Sequence, residues 1–258
     1  MAVIVIPARY RSQRFQGKPL AQLRGAGGEP KSLIRRSWEA ACRVPDVARV
    51  IVATDDGRIA EHARGFGAEV MMTSPTAANG TERCAGVAAT LPEGELVVNL
   101  QGDAPLTPPE FVTAVIKGIG SHEMATPVLR ADTQTLRHLP EDRRHGRVGG
   151  TTAVFDSGGR ALYFSKEVLP FSDALGPEDA VYHHVGLYAY RAEALRRYKS
   201  WPMGRLERIE GLEQLRFLEH GVDVHCVEVE AKGRVFWEVN NPVDIERVEA
   251  ALAEMGVA

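Results

Sequence analysis

Three predominantly apolar runs constrain the fold of this chain more than any other feature: Val3 to Ile6, "VARVIVA" from Val47 to Ala53, and the run inside "ELVVNLQGD" from Glu95 to Asp103. β-Branched residues without polar alternation read as strands covered on both faces, as in a parallel sheet packed between helices. The segments between them support that reading. Lys31 to Arg43 carries Leu33, Ile34, Trp38 and Ala41 at helical spacing. "DDGRIAEHARGFG" continues as a helix ending at Gly65 or Gly67, "AEVMMT" as a short strand and "TERCAGVAATL" as another helix. Strand and helix alternating over about 100 residues imply right-handed crossovers, hence an α/β fold with a mostly parallel sheet flanked by helices.

The second half is less regular. "EMATPVLR" reads as a strand and "TLRHLPEDRRHGRVGG" as an exposed polar excursion. "TTAVFDSGGRALYFSK" reads as a hairpin with a Ser-Gly-Gly turn, and "HHVGLYAYR" as one strand. "RLERIEGLEQLRFLEHG" places Leu206, Ile209, Leu212, Leu215 and Leu218 at three-residue steps, an amphipathic helix closed by Gly221. "DVHCVEVE" reads as a strand and "PVDIERVEAALAEMG" as a last helix with Pro242 near its first turn. No repeat, low-complexity tract or clean linker divides the 258 residues, so one domain spanning 1–258 is expected rather than two small ones.

A formal net charge of -3 with 25% charged residues gives no overall field for nucleic acid or a membrane surface. The first apolar run is shorter than a membrane span or a signal-peptide core, so a cytoplasmic protein without membrane insertion or a nucleic-acid partner is expected. Cys42, Cys84 and Cys226 are far apart and form no C-x-x-C pair, which points to free thiols. His183 and His184 are adjacent, and neighbours on a strand point to opposite faces, which disfavours a shared metal.

Ligands of parallel sheets sit at the carboxyl ends of strands. Three polar segments fall there: "ARYRSQR", "TDD" and "QGDAP". Arg9, Arg11, Arg14 and Lys18, with Gly17 among them, suit a polyphosphate: guanidinium forks and an ammonium meet its oxygens, and glycine lets backbone N–H groups approach. A solvated basic loop is the plainer reading, and its place after the first buried strand weighs against it. Neither G-x-x-x-x-G-K-[ST] nor G-x-G-x-x-G is present, which removes most support for a P-loop or a hydride-transfer enzyme. Asp103 stands where a carboxylate holds a divalent cation beside phosphate, and a strand-end turn cap is its alternative.

In order and spacing, "IPARYRSQRFQGKPL", "IVATDD", "NGTERCAGVA", "VVNLQGDAPL", "ALYFSK", "HHVGLYAYR" and "LERIEGLEQLRFLEHG" resemble the 3-deoxy-manno-octulosonate cytidylyltransferases. The resemblance covers nearly the whole chain. It implies a Rossmann-like nucleotide-diphospho-sugar transferase fold with a small dimerisation subregion, a homodimer, and use of CTP and magnesium to activate an acid sugar for lipopolysaccharide or capsule synthesis. By position it implies that Arg9, Arg14 and Lys18 hold the triphosphate, that Ala8, Ala53, Asp55, Arg83 and Gln101 complete the CTP site, and that Arg9, Lys18 and Asp103 carry the catalysis. Gln101, Lys166, His184, Tyr188, Glu213 and Gln214 then face the sugar, and Asp103 holds the metal, with Asn240 in the place of a second ligand.

The chain departs from that family at four positions. The family's "G-V-D-T-P-E-D-L" is here "EVNNPVDI", so Asn240 replaces a metal carboxylate; Glu238, on the same side of an expected strand, and Asp244, in the last helix, are the nearby acids. Lys166 stands where Arg is common, Thr152 where Lys is common and Ala104 where Glu is common. These changes thin the charge around metal and sugar, and leave open a modified acid sugar such as an amino-octulosonate, or a homologue that binds CTP and turns over weakly. A glycosyltransferase is disfavoured, since "QGDAP" has no Asp-x-Asp.

Overall fold

The structure, a computed structural model, describes residues 2–12, 15–144, 150–171, 180–233 and 237–258. The first half contains β1 (Ala2–Ala8), a 3-10 turn (Lys18–Leu20), a hairpin of β2 (Gln22–Arg24) and β3 (Pro30–Ser32), α1 (Leu33–Cys42), β4 (Val47–Thr54), α2 (Gly57–Gly65), β5 (Glu69–Met72), α3 (Gly80–Ala88) and β6 (Leu96–Leu100). The second half contains α4 (Pro109–Gly118), β7 (Met124–Arg130), α5 (Thr133–Arg144), β8 (Thr151–Phe155), β9 (Ala161–Ser165), β10 (Tyr182–His184), β11 (Leu187–Arg191), α6 (Ala192–Ser200), α7 (Arg205–Glu210), α8 (Leu215–Glu219), β12 (Val224–Val229) and α9 (Asp244–Glu254).

The expected α/β architecture is present. The main sheet runs β5-β4-β1-β6-β11-β7-β10-β8-β9, with β12 on β7. Its first four strands are parallel, with Ile4 opposite Val50 and Val98, and β11 joins β6 antiparallel. The chain leaves β1 for β4 and β5 on one side and returns to β6 on the other. That reversal opens a crevice beyond the carboxyl ends of β1 and β6. Alternation along the strands builds two cores: Val3, Val5, Ile51 and Val97 pack with α3 and α6, while Ile4, Ile6, Val52 and Val98 pack with α1, α2 and α4. Each fully buried Val or Ile contributes roughly 1.5–3 kcal/mol.

The helices that begin beside the crevice are started by capping side chains. Ser32, Asp56 and Asn79 accept from Arg35, Arg58 and Glu82 N–H at 3.3, 3.0 and 2.8 Å, satisfying first-turn donors of α1, α2 and α3.

Four local readings need correction. "HHVGLYAYR" is two strands, β10 and β11, which pair successive stretches of β7 and are interrupted at Val185-Gly186. "RLERIEGLEQLRFLEHG" is two short helices broken at Gly211, whose φ of 65° is left-handed, and Ile209 is 69% exposed instead of packed. The polar excursion contains α5, which includes Pro140; its residues 145–149 lie outside the described residues. Trp237 to Asn240 is irregular, and no strand places Glu238 and Asn240 on one side. Among the described residues no helix is long and apolar enough to cross a membrane.

Candidate active site

A cleft of about 470 Å³ occupies the crevice, lined from β1 by Pro7, Ala8 and Arg9, after β6 by Gln101, Gly102 and Asp103, from α3 by Gly80 and Arg83, and from α7 and its sequel by Glu207, Arg208, Gly211 and Glu213. Glycine at 102 is a steric necessity, because a Cβ there would stand 2.8 Å from the Pro7 carbonyl oxygen. The ends of β1 and β6 therefore meet closely enough to aim their polar residues into one space.

The basic loop folds back on itself, with Gly17 N–H donating to the Tyr10 carbonyl at 2.9 Å, and so delivers Lys18 to the cleft. Lys18 Nζ donates to Asp103 Oδ2 at 2.5 Å and to the Val239 carbonyl at 3.0 Å. Arg9 is exposed at the mouth, and Arg11 is exposed outside the lining. Arg14 lies outside the described residues.

On the α3 wall, Arg83 is 3% exposed and donates to Thr73 Oγ1 at 2.6 Å. Its Nη2 stands 3.3 Å from Asp55 Oδ1, an ion pair whose geometry falls short of a hydrogen bond. Burial lowers the Arg83 pKa, Asp55 opposes that shift and the Arg9 charge adds to it. Ala53 is fully buried beneath this wall and Asp55 stands behind Arg83; neither lines the cleft.

Of the residues expected at the sugar, Gln101 and Glu213 line the cleft. Glu213 Oε2 accepts from Thr81 N–H at 2.9 Å at the start of α3, and burial pushes its pKa up against that bond. Tyr188 and Gln214 lie behind the lining, with the Tyr188 hydroxyl donating to Gln214 Oε1 at 3.3 Å. His184, 6% exposed, contacts Thr126 Oγ1 at 3.0 Å and packs on Phe164 and Tyr188. Burial, then the neighbouring His183, push its pKa down to about 3, so at neutral pH it is an uncharged group. Lys166 is outside the lining too, though its Nζ stands 3.1 Å from where a Cβ on Gly211 would be. Thr152 is buried in the β8–β9 hairpin, donating to the Glu167 carbonyl at 2.7 Å, and Ala104 is 2% exposed.

Sequence reasoning passed over Asn79, Glu207 and Arg208 as lining residues. The cap position of Asn79 was a readable signal; the approach of α7 was not, because it depends on the break at Gly211.

The donor set fits magnesium, which is commonly held by one or two carboxylates together with substrate phosphates. Asp103 offers one carboxylate. Glu238 offers another, its pKa pushed up by burial and by the Asp103 charge, opposed by Lys18 and by a hydrogen bond from the Asn240 side chain. The Lys18 ammonium between Asp103 and the Val239 carbonyl marks a point where positive charge is already stable. Asn240 is next to this centre, and its backbone N–H is bound to Asp244 Oδ2 at 2.9 Å.

An open α/β sheet with a cation-lined cleft at its point of reversal defines a nucleotide-binding protein. A family model described as cytidylyltransferase matches residues 3–224. A protein of Maricaulis maris named 3-deoxy-manno-octulosonate cytidylyltransferase is 41% identical over 256 residues, covering 98% of this chain and 97% of that one. A protein of the same name from Chlamydia pneumoniae is 42% identical over 254 residues, covering 96% and 92%. A solved structure of CMP:2-keto-3-deoxy-manno-octonic acid synthetase complexed with CTP superposes with a TM-score of 0.85 at 32% identity, covering 98% and 99%. The chain belongs to the cytidylyltransferase family, among the 3-deoxy-manno-octulosonate cytidylyltransferases.

Proposed function

We propose that this chain transfers the cytidylyl group of CTP to the anomeric hydroxyl of 3-deoxy-manno-octulosonate, giving the CMP-sugar and pyrophosphate. The observation that carries this reading is the cleft itself, where Arg9, Lys18 and Arg83 converge with Asp103 at the ends of β1 and β6 in a chain of this family.

The reaction forms a bond from the sugar oxygen to the α-phosphorus and breaks the bond to the β-phosphate oxygen, with the hydroxyl proton passing to water. Little covalent chemistry falls to the protein; holding the reacting groups in line and stabilising negative charge do most of the work. Arg9 and Lys18 grip the triphosphate, and Lys18 exchanges its contact with Asp103 for phosphate oxygens as the nucleotide enters. Arg83, held by Thr73 and Asp55, borders the cytidine. Gln101 and Glu213 face the sugar, supported from behind by Tyr188 and Gln214. His184 supports the same wall through Thr126 and Tyr188 as a neutral ring. Lys166, near Gly211, is the cation placed to meet the sugar carboxylate.

Magnesium, when bound, neutralises charge on the triphosphate. Asp103 and Glu238 are the residues that would hold it, with Asn240 fixing Glu238 by a hydrogen bond from its side-chain amide. Glu238 would then offer, with the cation bound, the carboxylate that Asn240 lacks. The protein is proposed to act as a homodimer.

The test is pyrophosphate release with CTP, 3-deoxy-manno-octulosonate and magnesium, each omitted in turn. Release only with all three is expected; release without the acid sugar, or none with the complete mixture, contradicts the reading.

A further inference from the structure

Asn99 is the polar residue of β6, buried to 0% exposure between Val5 of β1 and Tyr188 of β11. An amide is out of place there on packing grounds, since the ladder bonds use only backbone and its neighbours along the strand are apolar. Its Oδ1 accepts from Gln101 Nε2 at 3.3 Å. Its Nδ2 has no partner among the described residues. Leaving a buried donor unmatched is destabilising, so an apolar side chain would suit the sheet better unless the bond to Gln101 matters.

Gln101 lines the cleft, and its terminal oxygen and nitrogen stand 3.6 and 3.7 Å from where a Cβ on Gly80 would be. Nothing in that packing distinguishes one end of the carboxamide from the other. Asn99 engages one end of it, which leaves the other end of the carboxamide to meet a ligand. Behind the same wall the Tyr188 hydroxyl is turned onto Gln214 Oε1, and Gln214 Nε2 is a second buried donor without a partner among the described residues.

We propose that Asn99 is a positioning residue that holds the Gln101 carboxamide at the cleft wall, with one end committed to Asn99 and the other presented to the acid sugar. The proposal rests on the functional reading above and extends it to a residue outside the cleft lining. Asn99 acts only through Gln101, and that dependence separates positioning from a plain packing role.

The test is a double-mutant cycle on the KM for the acid sugar, with melting temperature and CTP affinity as controls of the fold. Asn99→Leu and Gln101→Met are each expected to raise that KM about tenfold and to leave the KM for CTP within about twofold, and the double variant is expected to be no worse than Gln101→Met alone. If Asn99→Leu does not fold, Asn99→Ser, too short to hold Gln101, takes its place in the cycle. Effects that multiply in the double variant, or an Asn99 variant that raises both KM values together, overturn the proposal. A wild type that forms no CMP-sugar overturns the functional reading, and this inference with it.

Discussion

Lys18 is the side chain on which the cleft's electrostatics turn, because its ammonium reaches both Asp103 and the backbone of the Trp237–Asn240 segment. Losing one preorganised cation aimed at developing phosphate charge costs about 10²–10³ in turnover, which is the loss expected of Lys18→Met in the pyrophosphate assay. The charges around the ion give a second prediction. Glu238→Gln removes the second carboxyl group near Asp103, so the magnesium concentration for half-maximal turnover should rise about tenfold, while Asn240→Ala should shift it less. The reverse ranking would move the ligand role back to Asn240. A third concerns acid stability. The His184 pKa of about 3 lies below the ordinary value near 6.5, so between those two pH values the unfolded chain binds a proton that the native state excludes. Stability from the neutral ring is therefore complete above pH 6.5 and falls as the pH drops through that window. Half-buried His183, whose pKa desolvation also lowers, acts in the same direction. Denaturant melts should show wild type losing about 2 kcal/mol more than His184→Gln between pH 7 and pH 5.

Among elements, the meeting of β1 and β6 is the least tolerant. Gly102→Ala places a methyl 2.8 Å from the Pro7 carbonyl and should destabilise the fold by about 1–3 kcal/mol in a thermal melt, with loss of activity as Asp103 moves. The strands that make this junction were legible in the sequence, because Val3–Ile6 and the β6 run bury both faces and such runs have few alternative structures. The positions of Arg9, Lys18, Gln101 and Asp103 followed, since strand ends aim at one crevice. The α7–α8 region was misread for a geometric reason. Steps of three residues advance about 300° on a helix, so a stripe from Leu206 to Leu218 drifts about 60° per step and cannot stay on one face. The structure breaks the helix at Gly211 and leaves Ile209 exposed. The β2–β3 hairpin was not legible either, as three-residue strands carry almost no periodic signal. The places of Lys166, Tyr188 and Gln214 behind the lining depend on contacts between β9, β11 and the α7–α8 turn, distant in sequence, and no local pattern specifies them.

At the scale of the whole molecule, the proposed homodimer needs apolar side chains at the surface, and Leu162 of β9 and Phe171 beyond it are exposed, at 52% and 83%. Sedimentation should report twice the chain mass, and the pair Phe171→Asp and Leu162→Asp should shift it to the monomer; a wild type that sediments as a monomer removes the dimer from the account. The modest net charge of -3 assigns nucleotide attraction to the cleft and not to a global field. Calorimetric titration of CTP into the magnesium-loaded protein tests that assignment most directly. The account predicts one saturable site per chain, abolished by Lys18→Met combined with Arg9→Met; no measurable heat with CTP, or binding unchanged in that double variant, would contradict it.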